Sequence, residues 1–577
     1  MKRVLLAIAV CAGVAFGGFP NSLFAATGDT LVVYASGPSL DQVINSDTTA
    51  AGLPAHNVYE LVSLDTTYVW LNTISPRASF TILGTLGANG RPPCIQPGVL
   101  NDGSIPRVLF SVNEKGLTAS LKNLFIEDMS TNGKYTGNDA DVRVLADSVK
   151  VYEDNVVFDY SHGHVNIYIG KWDSFFITNC KFRNAVDPIT WTMGAVLRAS
   201  VSVNSPTDSV VMKYNTFFCL NGYVVSPGYP LHYVDFSHNT IAFTFLQPFM
   251  IFSAYSAKIN NNIFYAVSVA GETKAEYPTW DEYFSAATPA VISFDTMDVR
   301  SDSVFDPSDA GQSNWRMLAE AKRTVQVDNN AFFEPKAVTD FWTAWDDTAK
   351  GSDSLYTPNW MNARTQNMFS NKSVWPGFED NGNILGIDPG YGSSLSGILT
   401  GGSAYGLGLF PYFQLIRTQQ SPTTEWGYQL QTIPSSGSAT WVPYWPLPEA
   451  SDMQYTNAAV KTSSTDGLPL GDPYWFDGLT GVKQQPHPVA NKFYLSNNYP
   501  NPFNPSTTIK IALVRSGVIS LKIYNVLGQL VKVVAYGYKA PGAYFYDVNM
   551  DNLASGVYFY RLEEGTNFMT KKMVLLK

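Results

Sequence analysis

The sequence predicts an all-β protein in which a right-handed parallel β-helix precedes a C-terminal, Ig-like antiparallel β-sandwich. An eight-residue pattern recurs along the first half of the chain, and the last eighty-odd residues divide into short strand-like runs separated by turns. The chain combines 14 % aromatic and only 15 % charged residues with 44 glycines and 34 prolines. This composition is typical of a turn-rich extracellular β protein and not of a disordered chain.

The recurring pattern has apolar residues at positions 1, 3 and 8 and an asparagine-like residue at position 6. It fits seven segments: Ala119–Ile126, Val149–Val156, Phe175–Phe182, Val210–Phe217, Val234–Ile241, Ala257–Phe264 and Val325–Phe332. Their position-6 residues are Leu124, Asp154, Cys180, Asn215, Asn239, Asn262 and Asn330, with gaps of 30, 26, 35, 24, 23 and 68 residues. All gaps but the last have the length of one solenoid coil, and the last indicates an insertion at about 265–323.

Stacked coils place equal pattern positions above one another, about 4.8 Å apart. The apolar positions then form inward columns, and the position-6 amides of Asn215, Asn239, Asn262 and Asn330 are predicted to form a hydrogen-bonded structural ladder. A role for these asparagines as sugar or metal ligands is the alternative. The repeated spacing favours the ladder.

The start of this region indicates a capped solenoid. Residues 39–47 read as a short amphipathic helix, and strand-like runs follow, one of them ending in the turn Ile82-Leu83-Gly84. An exposed first coil needs such a cap. This layout resembles the N-terminal part of pectate-lyase-like β-helix proteins, in pattern only and over about residues 30–335. We therefore expect a parallel β-helix over 27–335.

Residues 336–485 lack the repeat and contain eight of the thirteen tryptophans. We expect this aromatic, Gly/Pro-rich region to pack back along the β-helix. The alternative is that its aromatic rings bind sugars, for which the candidates are Trp342, Trp345, Trp441 and Trp445.

A linker and a small strand-rich domain are expected over 486–577. Four motifs stand out there: YPNPFNPST at Tyr499–Thr507, LKIYNVLGQLV at Leu521–Val531, LASGVYFYRL at Leu553–Leu562 and TKKMVLLK at Thr570–Lys577. Together they resemble the C-terminal sorting domain of the type IX secretion system of Bacteroidota and their relatives. The resemblance implies export to the outer cell surface or beyond, with the secretion machinery as partner. The sorting-motif residues are Tyr499, Pro500, Asn501, Pro502, Phe503, Gly556, Lys571 and Lys572.

The N-terminus predicts a signal peptide over residues 1–26. Lys2 and Arg3 precede an apolar stretch at 4–16, and the small residues Ala25 and Ala26 offer a cleavage site. That stretch is short for a membrane span, and no later segment has eighteen consecutive apolar residues. The mature chain is therefore expected to cross no membrane as a helix and to pass through the periplasm.

The formal charge is −10 and no Lys/Arg cluster occurs, so nucleic acid is not an expected partner. The cysteines of the mature chain, Cys94, Cys180 and Cys219, are expected to be buried thiols, with a Cys180–Cys219 bridge as the alternative.

Catalytic residues are hard to place in this sequence. β-Helix lyases hold calcium with clustered acidic residues, and glycosidases use paired carboxylates. Asp235 is the one acidic residue predicted in the middle outward column, so no acidic cluster is predicted there. Asp159, His162 and His164 fall within six residues, and the two histidines face the same side if the segment is extended. These four residues are the weak catalytic candidates. No metal or cofactor is predicted, apart from calcium if the protein is a lyase.

Three functions therefore remain open. The preferred one is a non-catalytic glycan-binding or matrix protein of the cell surface. The alternatives are a polysaccharide lyase or glycosidase with a divergent site, and a protein-binding adhesin.

Overall fold

The computed structural model describes two compact units, Met1–Asp477 and Gly478–Lys577. The described residues are 25–27, 30–62, 67–87, 91–134, 140–186, 194–200, 206–228, 230–251, 253–270, 290–295, 320–344, 359–392, 395–402, 407–417, 450–476, 493–498, 501–513, 517–539, 542–550, 553–564 and 567–577. The predicted signal peptide therefore lies almost wholly outside the described residues, as does most of the predicted insertion.

The first unit consists mainly of short strands. In chain order they are β1 (Ala25–Thr27), β2 (Thr30–Val33), β3 (Val58–Val62), β4 (Tyr68–Trp70), β5 (Phe80–Thr85), β6 (Cys94–Pro97), β7 (Val108–Val112), β8 (Thr118–Glu127), β9 (Ala140–Val144), β10 (Lys150–Asp159), β11 (His164–Tyr168), β12 (Asp173–Thr178), β13 (Lys181–Ala185), β14 (Ala195–Ala199), β15 (Thr207–Lys213), β16 (Thr216–Leu220), β17 (Val225–Ser226), β18 (Leu231–Ser237), β19 (Thr240–Thr244), β20 (Ala254–Asn260), β21 (Ile263–Tyr265), β22 (Ala290–Ile292), β23 (Thr324–Asp328), β24 (Ala331–Phe333), β25 (Asn359–Met361), β26 (Gly377–Asn381) and β27 (Ile384–Leu385).

These strands form the walls of a parallel solenoid. The first wall runs through β2, β3, β5, β8, β10, β12, β15, β18, β20, β23 and β26, each parallel to the next. The second wall runs through β4, β6, the later halves of β8 and β10, β13, β16, β19, β21, β24 and β27. The third wall contains β7, β9, β11, β14 and β17, and β22 pairs with β25. Parallel pairing between successive circuits defines a β-helix, which confirms the predicted fold class.

Inward side chains form continuous apolar columns. One column of the first wall holds Val151, Phe175, Val210, Val234, Ala257 and Val325, all buried. In the second wall the rings of Phe158, Phe182 and Phe217 stack at 5.2 and 5.0 Å between centroids. Such columns bury apolar surface that a single coil would leave exposed to water.

The 68-residue gap does not interrupt the stacking. Ala257 pairs with Val325, and Ile259 pairs with Val327. The ladder therefore keeps its register from β20 to β23.

Each position-6 asparagine joins its own coil to the preceding one. The Oδ1 of Asn239 accepts from the backbone N–H of Asn215 (3.0 Å), and its Nδ2 donates to the Met212 carbonyl (2.9 Å). Asn215, Asn262 and Asn330 make the same two contacts with their preceding coils. The amides therefore satisfy backbone groups buried at the turn between the first two walls.

The residue that precedes position 6 adopts a left-handed backbone conformation in successive coils. The φ angles are +58° at Asn179, +59° at Tyr214, +55° at His238, +60° at Asn261 and +54° at Asn329. Asparagine tolerates this conformation better than most residues. The repeated turn thus has a backbone requirement as well as a hydrogen-bond requirement.

The repeat extends beyond residue 335, where the sequence placed its end. β26 pairs with β23, and Asn383 Oδ1 accepts from the Asn330 backbone N–H (2.8 Å). The sequence pattern missed this coil because Asp380 occupies the position equivalent to Val327.

One predicted alignment is wrong by two residues. Leu124 pairs with Val156 and not with Asp154, so Val156 occupies position 6 in its coil. Glu153 then takes an inward position between Leu121 and Ile177 and is fully buried. The sequence pattern requires an apolar residue at this inward position, because glutamate is rarely buried in a core. The pattern therefore placed the alignment of this coil two residues away from the true one.

Short helices accompany the solenoid: α1 (Leu40–Ser46), α2 (Lys336–Ala344), α3 (Ala363–Ser370), α4 (Ser396–Thr400), α5 (Leu409–Arg417), α6 (Ala450–Met453) and α7 (Ala458–Lys461), with 3-10 turns at Glu320–Lys322 and Pro473–Trp475. The predicted cap helix is α1, which buries Leu40, Val43 and Ile44. Asp41 on this helix accepts from the backbone N–H of Leu71 (2.9 Å) and so ties the cap to the second coil. No helix among the described residues is long and apolar enough to cross a membrane.

Residues 470–476, here called the strap, lie against the outward side of the second wall. Asp472 accepts from Lys181 Nζ (2.8 Å) and from the Thr216 hydroxyl (2.7 Å), and its backbone N–H donates to Thr240 Oγ1 (2.9 Å). Trp475 Nε1 donates to Thr216 (2.7 Å). This part of the aromatic region packs on the solenoid.

The three cysteines are buried free thiols, so the alternative Cys180–Cys219 bridge is not formed. Burial raises the pKa of each thiol well above its usual range.

The second unit is an antiparallel two-sheet domain. Its strands are β28 (Tyr494–Leu495), β29 (Ser506–Leu513), β30 (Gly517–Tyr524), β31 (Leu530–Lys539), β32 (Gly542–Asn549), β33 (Gly556–Glu564) and β34 (Asn567–Leu575). One sheet has the order β28-β29-β32 and the other β31-β30-β33-β34. Alternate residues such as Ile509, Ile511, Leu521 and Ile523 form its buried core.

Replacing one ladder amide should destabilise the solenoid. Asn239→Ala removes the acceptor of the Asn215 N–H and the donor to Met212, leaving both groups buried, so we expect a loss of roughly 2–4 kcal/mol. Denaturant unfolding of the full chain measures it. Asn367→Ala on α3, at an exposed position, is the control and should change little. Equal stability of the two variants would contradict the ladder's role.

Candidate functional site

The first candidate residues lie where the second wall turns into the third. Asp159 ends β10, a bend at His162 and Gly163 follows, and His164 begins β11. The segment is therefore not a single extended strand across both histidines, which was the premise for their facing one side.

Asp159 is fully buried in an ion pair with Arg183 of the next coil. Arg183 Nε donates to Asp159 Oδ1 (3.1 Å), its Nη2 contacts Oδ2, and Asn184 Nδ2 reaches Oδ1 at 3.3 Å. Burial raises the pKa of the Asp159 carboxyl, while the guanidinium opposes that shift. A carboxylate held in this way joins two coils and is closed to a substrate in solution.

His162 and His164 are 3 % and 5 % exposed. Burial lowers the pKa of both to about 3, so both rings are neutral at physiological pH. Across the described residues, no group of three or more His, Cys, Asp or Glu side chains is arranged to hold a metal ion.

Near these residues lies a buried polar cluster that the sequence did not reveal. Asp128 and Asp141 are buried neighbours, and Ser161 Oγ donates to Asp141 Oδ2 (2.9 Å). Burial raises the pKa of Asp141 to about 6 and that of Asp128 well above its usual range. Two adjacent buried carboxyls cannot both ionise cheaply, so the pair retains a proton.

Glu153 and Asn166 form a polar pair in the solenoid interior. Asn166 Nδ2 donates to Glu153 Oε1 (3.0 Å), while Glu153 Oε2 and Asn166 Oδ1 are both buried without another hydrogen bond. Burial raises the pKa of Glu153 to about 8, with the charge of Asp141 adding to the shift. The protonated, neutral form of Glu153 carries a hydrogen-bond donor on one oxygen, which the carboxylate form lacks.

The outward side of the first wall is partly accessible to solvent, and we call it the polar face. Three columns of side chains form it. The first is Thr118, Lys150, Ser174, Ser209, Tyr233, Ser256 and Thr324; the second is Ser120, Tyr152, Phe176, Val211, Asp235, Lys258 and Gln326; the third is Lys122, Asp154, Thr178, Lys213, Ser237, Asn260 and Asp328. The two-residue register correction places Tyr152 in the second column and Asp154 in the third.

Asp235, the remaining weak catalytic candidate, is the hub of a bonded cluster on this face. Lys213 Nζ lies 2.6 Å from its Oδ2, the Tyr233 hydroxyl lies 3.3 Å from the same oxygen, and Ser237 donates to Oδ1. Only 5 % of the residue is exposed. The arrangement orients Lys213 and Tyr233 and leaves the carboxylate little access to a substrate.

An aromatic pair lies in the same column as Asp235, with Phe176 two coils and Tyr152 three coils before it. The rings of Tyr152 and Phe176 stack at 4.7 Å with an interplanar angle of 9°, and both side chains are half-buried. Beyond Tyr152 the same column continues with the small Ser120. The outer ring face of the stack therefore adjoins a small residue.

Of the tryptophans suggested as sugar platforms, the structure describes Trp342. It is 6 % exposed, its Nε1 donates to the Val269 carbonyl (3.1 Å), and it packs on Phe413. In this position the indole anchors α2 to the solenoid and offers no ring face to solvent. Trp345, Trp441 and Trp445 lie outside the described residues.

In the second unit, the YPNPF motif is bonded to the last strand. Asn501 Oδ1 accepts from the Val574 N–H (2.9 Å), Phe503 is buried and donates to the Val574 carbonyl (3.0 Å), and the Leu576 N–H donates back to Phe503 (2.9 Å). The YPNPF motif and the C-terminal TKKMVLLK motif are thus hydrogen-bonded to each other.

The other motif residues occupy the surface of the same unit. Lys571 Nζ donates to Asn497 Oδ1 (2.8 Å), Pro502 and Lys572 are exposed, and Gly556 begins β33. Tyr499 and Pro500 lie outside the described residues.

Comparison with known proteins agrees with this geometry at the C-terminus. Residues 497–576 match the family model described as the secretion system C-terminal sorting domain. No curated protein matches the chain. The molecule is therefore a β-helix protein with a type IX sorting domain. Such a domain directs export, so the protein is delivered to the cell surface or secreted and interacts with the type IX machinery.

The buried acid predicts a pH effect on stability. The pKa of Glu153 in the folded protein is higher than that of a free carboxyl. The stabilisation that its bound proton provides is therefore fully present below about pH 4.5 and is lost as the pH rises through about 8. Glu153→Gln keeps an amide pair with Asn166 and cannot ionise. We expect its Tm to match wild type near pH 5 and to exceed it by a few °C at pH 8.5, measured by thermal melts.

Glu114→Gln, at an exposed position, is the matched control for this comparison and should follow wild type at every pH. A difference between Glu153→Gln and wild type that does not change with pH would show that Glu153 is not the titrating group.

Proposed function

We propose that the exported solenoid is a non-catalytic glycan-binding or matrix protein that engages polysaccharide through the polar face. The observation that carries this proposal is the composition of that face: rows of hydroxyl, amide and lysine side chains beside a stacked aromatic pair, on a rigid sheet open to solvent. Glycan sites in proteins combine such hydrogen-bonding groups with aromatic contacts.

The spacing of the face suits an extended polymer. Neighbouring strands repeat about every 4.8 Å, which is close to the length of one sugar unit in an extended polysaccharide. Successive coils can therefore meet successive sugars with similar groups. A preformed, rigid surface also binds without a large ordering cost.

Charge suggests the class of glycan. The chain carries −10 overall, yet Lys122, Lys150, Lys213 and Lys258 all lie on the polar face. Lys122 and Lys213 form ion pairs with Asp154 and Asp235, which hold their side chains across the sheet. Acidic polysaccharides are the first ligands to test.

A lyase or glycosidase is the second candidate. The buried pair Asp128–Asp141 favours it, since paired carboxyls with separated pKa values are what acid–base catalysis uses. Both residues are buried, at 7 % and 1 % exposure, which favours a structural role. Incubation with a polysaccharide panel, with and without calcium, and assay of reducing ends and unsaturated uronates separate the two functions. The third candidate, a protein-binding adhesin, has no specific support on the polar face.

The domain limits also enter the proposal. We take residues 1–26 as a signal peptide and residues 486–577 as the linker and sorting domain, with the solenoid and its aromatic region between them.

Removing lysines from the polar face should weaken glycan binding. Lys150→Gln with Lys258→Gln lowers the positive charge of the face, so we expect about tenfold weaker binding to an acidic polysaccharide, equal to about 1.4 kcal/mol. Affinity electrophoresis in gels containing acidic or neutral polysaccharide measures this change.

The control variant for this experiment is Lys322→Gln with Lys336→Gln, which removes the same charge at exposed positions off the face. It should bind as wild type. Equal weakening by both variants would indicate a bulk charge effect, and the absence of binding by wild type to any polysaccharide would contradict the proposed function.

A further inference from the structure

The hairpin turn between β30 and β31 of the sorting domain exposes three apolar side chains. Val526 is 65 %, Leu527 78 % and Leu530 51 % exposed. In the preceding strand, Leu521 and Ile523 are fully buried and account for the core. Single exposed apolar residues are common, but three on one turn form a cluster that the packing of this domain does not explain.

The turn holds these side chains in a fixed arrangement. Asn525 Oδ1 accepts from the backbone N–H groups of Leu527 and Gln529, both at 3.0 Å, and Asn525 Nδ2 donates to Gln529 Oε1 (2.8 Å). Gly528 has φ +77°, a conformation that favours glycine. A pre-formed turn displays an apolar cluster at little ordering cost to binding.

The turn leads directly into an open sheet edge. β31 is ten residues long and lies at the margin of the sheet β31-β30-β33-β34, paired with β30. Within the described part of this unit, no strand pairs with its other side. The opposite margin is treated differently, because Phe503 pairs with Leu575 alongside β34.

Natural proteins usually protect a long edge strand, because its free backbone groups attract another strand. Here the sorting motif bonds to the end of one edge, whereas no strand among the described residues of this unit pairs with the other edge, which is continuous with an apolar turn. The combination has the form of a binding surface for a protein partner, with an apolar contact at the turn and a strand edge beside it.

We propose that the type IX export machinery recognises this domain at the β31 margin, through an apolar cleft that covers Val526, Leu527 and Leu530. The match of residues 497–576 to the sorting-domain family supplies the partner, since a sorting domain has to be bound by the system that exports it. The proposal concerns delivery and is independent of what the solenoid binds.

The test uses the full chain in a host that carries out type IX secretion. Val526→Ser, Leu527→Ser and Leu530→Ser together remove the apolar cluster without touching the core. Cell fractionation and immunoblotting measure the exported share against the share retained in the periplasm. We expect at least tenfold less export than wild type, approaching a chain that lacks 497–576. Export at the wild-type level would overturn the proposal.

A matched control variant keeps the turn and changes other exposed apolar residues of the domain. Val557→Ser, Phe559→Ser and Phe568→Ser act at positions that are 37 %, 38 % and 60 % exposed. This variant should be exported as wild type, and equal retention would show that general surface hydrophobicity, not the turn, is read. Thermal melts of both variants check folding. If the turn variant does not accumulate, Leu527→Asn alone provides the same measurement.

A photo-reactive amino acid at position 527 identifies what contacts the turn in cells. The proposal expects a cross-link to a component of the export machinery that disappears when Val526 and Leu530 are changed to serine. A cross-link to a second copy of the chain, or to lipid in place of a machinery protein, would contradict it.

Discussion

The structure depends on one constraint, which is that every coil must keep its hydrogen-bond register with the coil before it. Backbone pairing along the walls meets part of this requirement. The turn between the first two walls cannot pair in the same way, and there the asparagine amides bond to the preceding coil. A buried backbone group without a hydrogen-bond partner destabilises the folded state by about as much as several ordinary contacts stabilise it. The asparagine therefore recurs at this turn in successive coils, whereas many other side chains vary from coil to coil.

Register also decides what each surface can do. Residues two apart along a strand share a side, so a fixed stack turns the outward positions of the first wall into continuous columns. The same alternation encloses Glu153 and Asn166 in the interior, while the turn after β10 buries Asp159 and both histidines. Asp159, His162 and His164, which the sequence offered as catalytic candidates, are therefore buried structural residues. The polar groups that a ligand can reach lie on the polar face.

The sequence predicted the elements that repeat or carry specific motifs. The apolar columns, the cap helix and the two-sheet tail follow from periodicity and from motif wording. The sequence did not locate the polar interior, because Glu153 interrupts the apolar pattern and the alignment moved two residues to avoid it. It missed the last coil for a similar reason, since Asp380 replaces an apolar residue. Burial of Asp159 and the two histidines depends on neighbouring coils, which no local pattern contains.

The central claim is tested most directly by cross-linking across the 68-residue gap. Ser256 and Thr324 are paired on the polar face, with their hydroxyl oxygens 2.9 Å apart. Ser256→Cys with Thr324→Cys should form a disulfide under mild oxidation, detected by peptide mass spectrometry. Ser209→Cys with Thr324→Cys, three coils apart, should not. Failure of the first pair to cross-link, or equal cross-linking of both, would contradict a solenoid in continuous register.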